Sequence, residues 1–254
     1  MPDRRVALLT GAATGVGAAC AGSLAARGWN VAINYRASAD AAEAVAASAR
    51  TRGVEAMTLR GDVADDADCR RMVGTVADAW DRIDALVNAA GTTRFVPHSD
   101  MDALDAADFA RIFAVNVTGP FQMVRAAAPY LRASGWGAVV NISSVSGAVG
   151  DGSSIPYAAS KGALNTLTKS LARALAPSVR VNAVCPDYLT GRWLMEGVGP
   201  ERYEQILGDA RAKAPMADVA TPDDVADAVL WLIEGGRMVT GTQPVVDGGI
   251  GLGA

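Results

Sequence analysis

The sequence predicts one α/β domain with a doubly wound parallel sheet of seven strands and helices on both faces. Short β-branched apolar runs alternate with Ala-rich segments that have helical periodicity. The predicted strands are apolar almost throughout, which is typical of parallel strands buried on both faces. No linker, repeat or low-complexity segment interrupts the 254 residues, so a single domain over residues 1–254 is expected.

Strands and helices alternate from the N-terminus. The third predicted helix places Val73, Val76, Ala77 and Trp80 on one apolar stripe. Gly53 closes the second helix, as a glycine just past a helix end often does. The predicted strands are 4–11, 29–35, 54–63 and 84–91, and the helices between them are about 15–28, 38–53 and 66–80.

The second half continues the alternation with longer helices. Residues 101–132 are expected to be mostly helical, with a break or bend near Gly119 and Pro120. Thr221 and Pro222, followed by two acids, are typical of an N-cap and first turn, and that helix is expected to run through Ile233. The remaining predicted elements are strands 137–144, 179–186 and 242–249 and a long helix of about 155–176.

Composition and charge exclude several classes of protein. A formal net charge of −4, without a long run of one sign, argues against non-specific nucleic-acid binding, which needs a basic surface. The three cysteines are far apart and form no CxxC pair, so we interpret them as reduced thiols of a cytoplasmic protein. The apolar run near the N-terminus is too short for a signal peptide, and no stretch is long enough to span a membrane.

The glycines after the first strand form the first candidate site. The stretch "TGAATGVG", residues 10–17, places Gly11, Gly15 and Gly17 where a strand turns into a helix. Glycines there let the backbone approach a pyrophosphate, whose charge the helix N-terminus favours. A tight turn without a ligand explains the same glycines. A P-loop is excluded, since no Gly-Lys-Ser/Thr follows.

The end of the second strand bears on cofactor choice. A fold that prefers NAD usually has an acid there that binds the ribose hydroxyls, but this strand ends in Asn34, Tyr35 and Arg36. Asp40, the nearest following acid, lies beyond the strand. The guanidinium of Arg36 suits a 2′-phosphate, which favours NADP(H). An ordinary solvated arginine is the alternative, and NAD(H) stays possible.

The stretch "YAASK" places Tyr157 and Lys161 four positions apart, on one face of a predicted helix. A free tyrosine has a pKa near 10, and a neighbouring lysine cation lowers that pKa. A tyrosine tuned in this way gives a proton to a carbonyl oxygen as hydride arrives, or takes one in the reverse reaction. Alone, the pair is equally an exposed couple on a helix face.

The pair does not stand alone, because the chain resembles the short-chain dehydrogenase/reductase family over nearly its whole length. The single-domain Rossmann fold and the glycine spacing resemble the carbonyl reductases, including 3-oxoacyl-(acyl-carrier-protein) reductases. The enoyl reductases typically have a wider Tyr–Lys spacing. The matching motifs, in family order, are the glycine motif at 10–17, "GDV" at 61–63, "NAAG" at 88–91, "VNVTG" at 115–119, "NISSVSG" at 141–147, "YAASK" at 157–161 and "VDGG" at 246–249.

The resemblance implies roles for four catalytic residues. Tyr157 would be the general acid/base, and Lys161 would lower its pKa and hold the nicotinamide ribose. Ser144 would hydrogen-bond the substrate oxygen, while Ser143 is expected to face away. Asn116 would position a water in a proton relay to Lys161, although a buried amide at a helix bend explains it as well.

The resemblance also implies the cofactor contacts, with Asp62 and Val63 at the adenine. The sequence departs from the family where Asp187 replaces a glycine and Thr190 precedes the expected threonine position, which Gly191 occupies. Many relatives that prefer NADP carry a basic residue in place of Thr14. The implied contacts are Gly11, Thr14, Gly15, Val16, Gly17, Tyr35, Arg36, Asp62, Val63, Asn88, Ala89, Gly91, Tyr157, Lys161, Pro186 and Leu189.

Other kinds of site find little support. A Ser-His-Asp hydrolase would need His98, the single histidine, which lies in "RFVPHSD" without a nucleophile elbow. We interpret it as a surface or substrate-loop residue. No cluster of histidines and acids suggests a metal site.

Residues 190–215 are expected to form a mobile lid over the substrate. If its large side chains line the pocket, the substrate has a hydrophobic part; ordinary packing against the domain is the alternative. The side chains concerned are Trp193, Leu194, Met195 and Tyr203, which Phe95 and Val149 would join.

Partners and alternative functions complete the expectations. The helix at 155–176 has a face of small residues, Ala158, Gly162 and Thr166, and the resemblance implies that it pairs between subunits of a homotetramer or homodimer, with residues 246–254 at another contact. Arg192, Arg202 and Arg211 would offer an acidic carrier protein a basic patch. The expected substrate is a small carbonyl compound or alcohol. An NAD-dependent alcohol dehydrogenase and a catalytically silent cofactor-binding regulator are the alternatives.

Overall fold

In the computed structural model, which describes residues 4–252, the strands form one parallel sheet in the order β3-β2-β1-β4-β5-β6-β7. The strand order reverses between β1 and β4, which are neighbours although β2 and β3 separate them in sequence. A ligand crevice forms outside the carboxyl ends of the strands at such a reversal. The strands are β1 Val6–Thr10, β2 Asn30–Tyr35, β3 Ala56–Arg60, β4 Ala85–Asn88, β5 Gly137–Ile142, β6 Val179–Pro186 and β7 Val245–Val246.

Helices cover both faces of the sheet, as the apolar strands require. One buried cluster includes side chains of α1, α2 and α10, and a second cluster on the other face includes side chains of α3, α5 and α7. The helices are α1 Gly15–Ala26, α2 Ala39–Arg50, α3 Asp66–Trp80, α4 Ala106–Phe113, α5 Gly119–Ala133, α6 Ser146–Val149, α7 Ile155–Leu175, α8 Arg192–Val198, α9 Pro200–Lys213 and α10 Pro222–Glu234.

Local sequence signals explain several helix ends. Thr221 and Asp224 form the capping box that begins α10, with Pro222 at its first position. Asp65 caps α3 by accepting hydrogen bonds from the backbone of Ala67 and Asp68. At its far end α10 is held by the buried Arg180, which donates to the carbonyls of Leu232 and Ile233 and satisfies acceptors that the helix cannot pair.

The structure corrects several predicted boundaries. The interruption expected near Gly119 and Pro120 lies one turn earlier, as a π-helical turn over Ala114–Thr118, and Gly119 already begins α5. The last strand has two residues, not eight, and the first helix ends at Ala26. Two lid helices, α8 and α9, lie where the sequence suggested mainly loop. Residues 253–254 of the predicted C-terminal contact lie outside the described residues.

Candidate active site

The glycine turn lies between the carboxyl end of β1 and the first turn of α1. A Cβ on Gly11 would lie 2.6 Å from the Ala90 backbone, so the close approach of this turn to the chain after β4 requires glycine. Gly15 has φ +56°, and a Cβ there would meet nothing within 4 Å. Thr14 is the N-cap of α1 but makes no side-chain cap within the described structure. The first amides of α1 therefore face open space.

Asn34 holds this turn in place, and sequence analysis did not identify that role. Its Oδ1 accepts a hydrogen bond from the Gly11 amide at 3.1 Å, and its Nδ2 donates to the carbonyls of Leu59 and Gly61 at 3.2 and 3.0 Å. The side chain is 2% exposed. A polar residue inside the otherwise apolar "NVAINY" was the available signal, because a buried amide must find partners.

A pocket of about 490 Å³ lies beside the end of β2. Arg36, the residue after β2, lines the pocket and lies 3.7 Å from Asp62, both side chains being exposed. Arg71 pairs with Asp68 at 2.5 Å, and this partner lowers the pKa of the Asp68 carboxyl. Arg60 also lines the pocket. Three guanidinium groups therefore surround the position that sequence analysis assigned to the adenosine end of a cofactor.

The end of β4 is fixed by buried amides. Asn88 Nδ2 donates to Asn141 Oδ1 on β5, and Asn141 Nδ2 donates to Thr168 Oγ1 on α7, both at 2.9 Å. Asn88 Oδ1 is buried without a hydrogen-bond partner among the described residues. Ala89 and Gly91 follow, at the edge of the crevice beside Thr10 of β1.

Asn116 lies in the π-helical turn and joins three segments. Its Oδ1 accepts from the Thr92 amide at 2.8 Å, and its Nδ2 donates to the Thr92 carbonyl and to Ser160 Oγ, both at 3.0 Å. The side chain is therefore a satisfied buried amide at a helix bend, one of the two interpretations that sequence analysis left open. Its position close to Gly91 and Lys161 is compatible with the relay role as well.

Two neighbouring serines after β5 point in different directions, as expected. Ser143 Oγ donates to Asn165 Oδ1 on α7 at 2.6 Å. Ser144 Oγ donates to Ser146 Oγ at 3.0 Å and accepts from the Ser146 amide at 3.1 Å. Ser144 also lies beside Tyr157, whose pKa its hydroxyl acts to lower, so it faces the predicted proton donor.

Tyr157 and Lys161 lie in the first two turns of α7. Lys161 is 4% exposed, its Nζ donates to the Ile142 carbonyl at 2.8 Å, and it lies 5.5 Å from the Tyr157 ring centroid. Burial lowers the pKa of Lys161 to about 8. Burial raises the pKa of Tyr157 to about 12, although the Ser144 hydroxyl opposes the shift. The expected lowering of the Tyr157 pKa is therefore wrong in this structure, because burial outweighs the stabilisation of the phenolate.

The segment after β6 contains the departures from the family pattern. Asp187 donates its backbone amide to the Val246 carbonyl at 3.3 Å, and burial, with the nearby Asp247, raises its carboxyl pKa to about 6. Leu189 packs on the core beneath α1, and the Thr190 amide bonds the Ala220 carbonyl. Thr190 is thus fixed by its backbone to the segment before α10.

The lid residues divide into two groups. Leu194 and Tyr203 pack into a cluster of the lid itself, so they follow the ordinary-packing alternative. Trp193 instead extends towards Gly91. Met195 and Val149 are exposed hydrophobic side chains.

Two expectations about this region meet contacts within the chain. A Cβ on Gly162 would lie 3.1 Å from the Gly147 carbonyl, so this glycine approaches α6 of the same chain closely, and the pairing of α7 between subunits stays a prediction. Ala158 is buried, and only Thr166 of that face is exposed. Two arginines of the expected basic patch have acidic partners, since Arg192 pairs with Glu196 at 2.6 Å and Arg211 lies 3.7 Å from Asp218, whereas Arg202 donates to the neutral amide of Gln205.

Other site classes are not found within residues 4–252. No group of three potential metal-ligating side chains occurs there, and no helix in that range is long and apolar enough to cross a membrane. His98 lies in a turn between β4 and α4. The crevice does fit a dinucleotide, because the uncapped N-terminus of α1 faces open space at Gly15 and cationic side chains lie at both ends.

Comparisons with known proteins agree with this geometry. The family model described as enoyl-(acyl carrier protein) reductase matches residues 11–251. A Streptomyces violaceoruber protein assigned as ketoacyl reductase 2 of the granaticin polyketide synthase is 40% identical over 98% of this chain and 96% of its own length. The 3-oxoacyl-(acyl-carrier-protein) reductase FabG of Staphylococcus aureus is 33% identical over 98% of this chain and 99% of its own length.

Two solved structures also resemble this chain over nearly its whole length. A crystal structure of a Burkholderia xenovorans protein assigned to the short-chain dehydrogenases/reductases superposes with a TM-score of 0.92, at 42% identity over all of both chains. NAD+-bound xylitol dehydrogenase superposes with a TM-score of 0.86, at 28% identity over 98% of this chain and 100% of the other. These likenesses confirm the predicted fold.

Proposed function

The chain belongs to the short-chain dehydrogenase/reductase family, and from that premise we propose that it is an NADP(H)-dependent reductase of a ketone carbonyl. The observation that carries the proposal is the convergence of Ser144, Tyr157 and Lys161 where β5 ends and α7 begins. A hydroxyl donor, a proton donor and a buried cation thus meet at one point of the crevice.

These three side chains account for the proton chemistry of carbonyl reduction. The nicotinamide, when bound, supplies the hydride. As the carbonyl carbon gains that hydride, its oxygen gains negative charge, which the Ser144 and Tyr157 hydroxyls stabilise. Tyr157 then transfers its proton to the oxygen, and the alcohol forms. Lys161 stabilises the phenolate that remains.

The raised pKa of Tyr157 favours reduction over oxidation. With a pKa of about 12, the phenol stays protonated at neutral pH and is ready to donate. An alkoxide is a stronger base than a phenolate, so the transfer is downhill. Oxidation of an alcohol would start from the phenolate, which is scarce at neutral pH.

The proposed cofactor site extends along the whole crevice. The glycine turn, with Asn34 behind it, would hold the pyrophosphate at the N-terminus of α1. Lys161 would hold the nicotinamide ribose, and Asp62 would lie at the adenosine end. Arg36 would bind the 2′-phosphate, supported by Arg60 and Arg71 in the same pocket.

NAD(H) is the second candidate cofactor. Asp62 lies 3.7 Å from Arg36, which gives this end an acid as well as a base. Thr14 is not basic, and one similar structure holds NAD+. An NAD-dependent alcohol dehydrogenase therefore stays the alternative, and a silent cofactor-binding regulator rests on the departure at Asp187.

The substrate proposed is a ketone with an apolar portion, of the ketoacyl type that two relatives' names describe. Trp193 and Phe95 supply apolar surface near the catalytic residues. Because Arg192 and Arg211 pair with acids, the lid offers a carrier protein a weaker basic patch than its three arginines suggested, and a small-molecule substrate is proposed. We also propose a homotetramer or homodimer, and a cytoplasmic location in keeping with three free, buried cysteines.

A paired titration with NADPH and NADH tests the cofactor. If Arg36 binds the 2′-phosphate, Arg36→Ala should weaken NADPH binding about 10–100-fold, as loss of a charged hydrogen bond does, and leave NADH binding unchanged. Arg52→Ala, an exposed arginine at the end of α2, is the matched control. Equal affinity of the wild type for the two cofactors would contradict the assignment.

A substrate panel tests the reaction itself. Purified protein with the preferred cofactor should reduce a ketoacyl thioester or a simple ketone. An enoyl thioester in the same panel separates reduction of a C=O bond from reduction of a C=C bond. Cofactor binding without turnover on the panel would favour the silent regulator.

A further inference from the structure

The lid, residues 190–215, packs around a small core to which Val219 and Ile250, outside the lid, also contribute. Leu207, Ala210 and Val219 are buried together, and Leu194 and Tyr203 pack against them. The Tyr203 hydroxyl accepts a hydrogen bond from the Gly191 amide at 3.0 Å. Helices α8 and α9 are therefore held to each other by contacts separate from the two main clusters.

Glycines at both ends of α8 give it conformational freedom. Gly191 has φ +127° and Gly199 has φ +81°, which side-chain-bearing residues rarely adopt. A third glycine, Gly197, lies flat against the ring of Phe95, where a Cβ would overlap the ring carbons. Phe95 belongs to the loop after β4, which also contains Gly91. This contact fastens α8 to the catalytic side of the crevice.

Trp193 projects from the first turn of α8 into the catalytic centre. A Cβ atom built on Gly91 would lie 4.0 Å from Trp193 Cη2, 3.7 Å from Asn116 Oδ1 and 4.0 Å from Lys161 Nζ. The indole tip thus shares one small space with two predicted catalytic side chains. Trp193 as a whole is 50% exposed, so the indole is held at the mouth of the crevice and is not part of a core.

We propose that Trp193 is a gate that occupies the place of the nicotinamide half of the cofactor and must swing out for binding. The proposal rests on the proposed function, since Lys161 and Gly91 are there the residues that border the nicotinamide ribose. Release of the Gly197–Phe95 contact allows α8 to turn about Gly191 and Gly199. Since only molecules with the gate open bind cofactor, the apparent affinity equals the affinity of the open form multiplied by the fraction of molecules with the gate open.

Calorimetric titration of NADPH into Trp193→Ala tests the gate directly. Removal of the indole should lower the dissociation constant for NADPH about 3–10-fold, because no molecules are lost to the closed state. Trp231→Phe is the matched control, since Trp231 is 53% exposed on α10 away from the lid, and its affinity should equal that of the wild type. An unchanged or weaker affinity of Trp193→Ala would overturn the gate.

A second variant keeps the test independent of losing the indole. Gly197→Ala introduces a methyl group that overlaps the Phe95 ring, so the ring or α8 must shift and the contact that fastens α8 is lost. NADPH should then again bind more tightly. Weaker binding by this variant would also count against the gate. If wild type and Trp193→Ala bind NADPH equally, only the gate fails; if neither binds any nicotinamide cofactor, the proposed function fails with it.

Discussion

The catalytic floor and the lid are built in opposite ways. By the floor we mean Asn116, Ser144, Tyr157 and Lys161, which lie on elements that pack into the main clusters. Ser144 and Lys161 are 8% and 4% exposed, and each has a fixed hydrogen-bond partner. The lid, in contrast, packs around a core of three buried residues. Its Trp193, which faces the floor, is half-exposed.

From this difference we infer that the floor carries out the chemistry and that the lid controls access to it. Side chains that must align with a reacting carbonyl need a rigid support, because small displacements are costly to the rate. A segment with few buried apolar contacts belongs to the low-stability end of a structure and opens readily. We therefore expect the fold to hold a fixed proton donor under a movable cover.

Replacement of Tyr157 by phenylalanine should remove the proton donor of the floor without changing the lid. The ring keeps its packing but the proton donor is lost, so kcat for carbonyl reduction should fall about 10³-fold. Steady-state kinetics with saturating cofactor measure the effect. The control is the NADPH dissociation constant, which should change less than about threefold.

Undiminished turnover of Tyr157→Phe would remove Tyr157 from the mechanism. Loss of cofactor binding together with activity would instead indicate that the hydroxyl holds the cofactor.

The pH dependence of carbonyl reduction should show whether the charge of Lys161 supports the reaction. Burial lowers the pKa of Lys161 to about 8, so the cation is lost as the pH rises through that value. The Tyr157 phenolate formed in the reaction then loses its stabilising charge, and kcat should fall about 10-fold between pH 7 and 9.5. A pH–rate profile at saturating cofactor and substrate measures this.

A matched profile of NADPH affinity shows whether cofactor loss causes the decline. A flat kcat up to pH 9.5 would mean that Lys161 keeps its charge despite burial, and that its contribution to the phenolate does not depend on pH in this range.

Sequence patterns predicted the floor better than the lid, for a physical reason. Strands such as Val179–Pro186 are buried along their whole length, so burial dictates a continuous apolar run that can be recognised locally. The helical pair Tyr157 and Lys161 has a fixed spacing on one element. In contrast, α8 holds no buried residue, and its contacts to Phe95 depend on tertiary structure.

The pKa values and the buried hydrogen bonds of the site were the features that the sequence predicted least well. The spacing of Tyr157 and Lys161 suggested a lowered tyrosine pKa, but the sum of burial and hydrogen bonding raises it. The role of Asn34 depended on three backbone groups that only the folded sheet brings together. Small residues on α7 predicted close packing, and Gly162 does approach Gly147 closely within the chain, while the pairing of α7 between subunits stays a prediction.

The smallest predicted effect lies at Asp187, where the floor meets the lid. Burial and the charge of Asp247 raise its pKa to about 6 from an ordinary value of 3.8. The native state therefore holds this proton more tightly than the unfolded chain, and its stability falls as pH rises through about 4–6. Each pKa unit corresponds to about 1.4 kcal/mol, so the penalty above pH 6 is at most about 3 kcal/mol.

Asp187→Asn removes that penalty and should raise the melting temperature at pH 7.5 by about 2–6 °C. At pH 4.5 the native carboxyl is mostly protonated but the unfolded carboxyl is mostly ionised, so the difference in melting temperature should shrink to about one third of its value at pH 7.5. Asp209→Asn, an exposed acid on α9, is the control and should have little effect at either pH. Equal melting of Asp187→Asn and the wild type at pH 7.5 would show that the carboxylate is accommodated at no cost. Burial of the ionised Asp187 carboxyl after β6 would then not lower the stability of the native state.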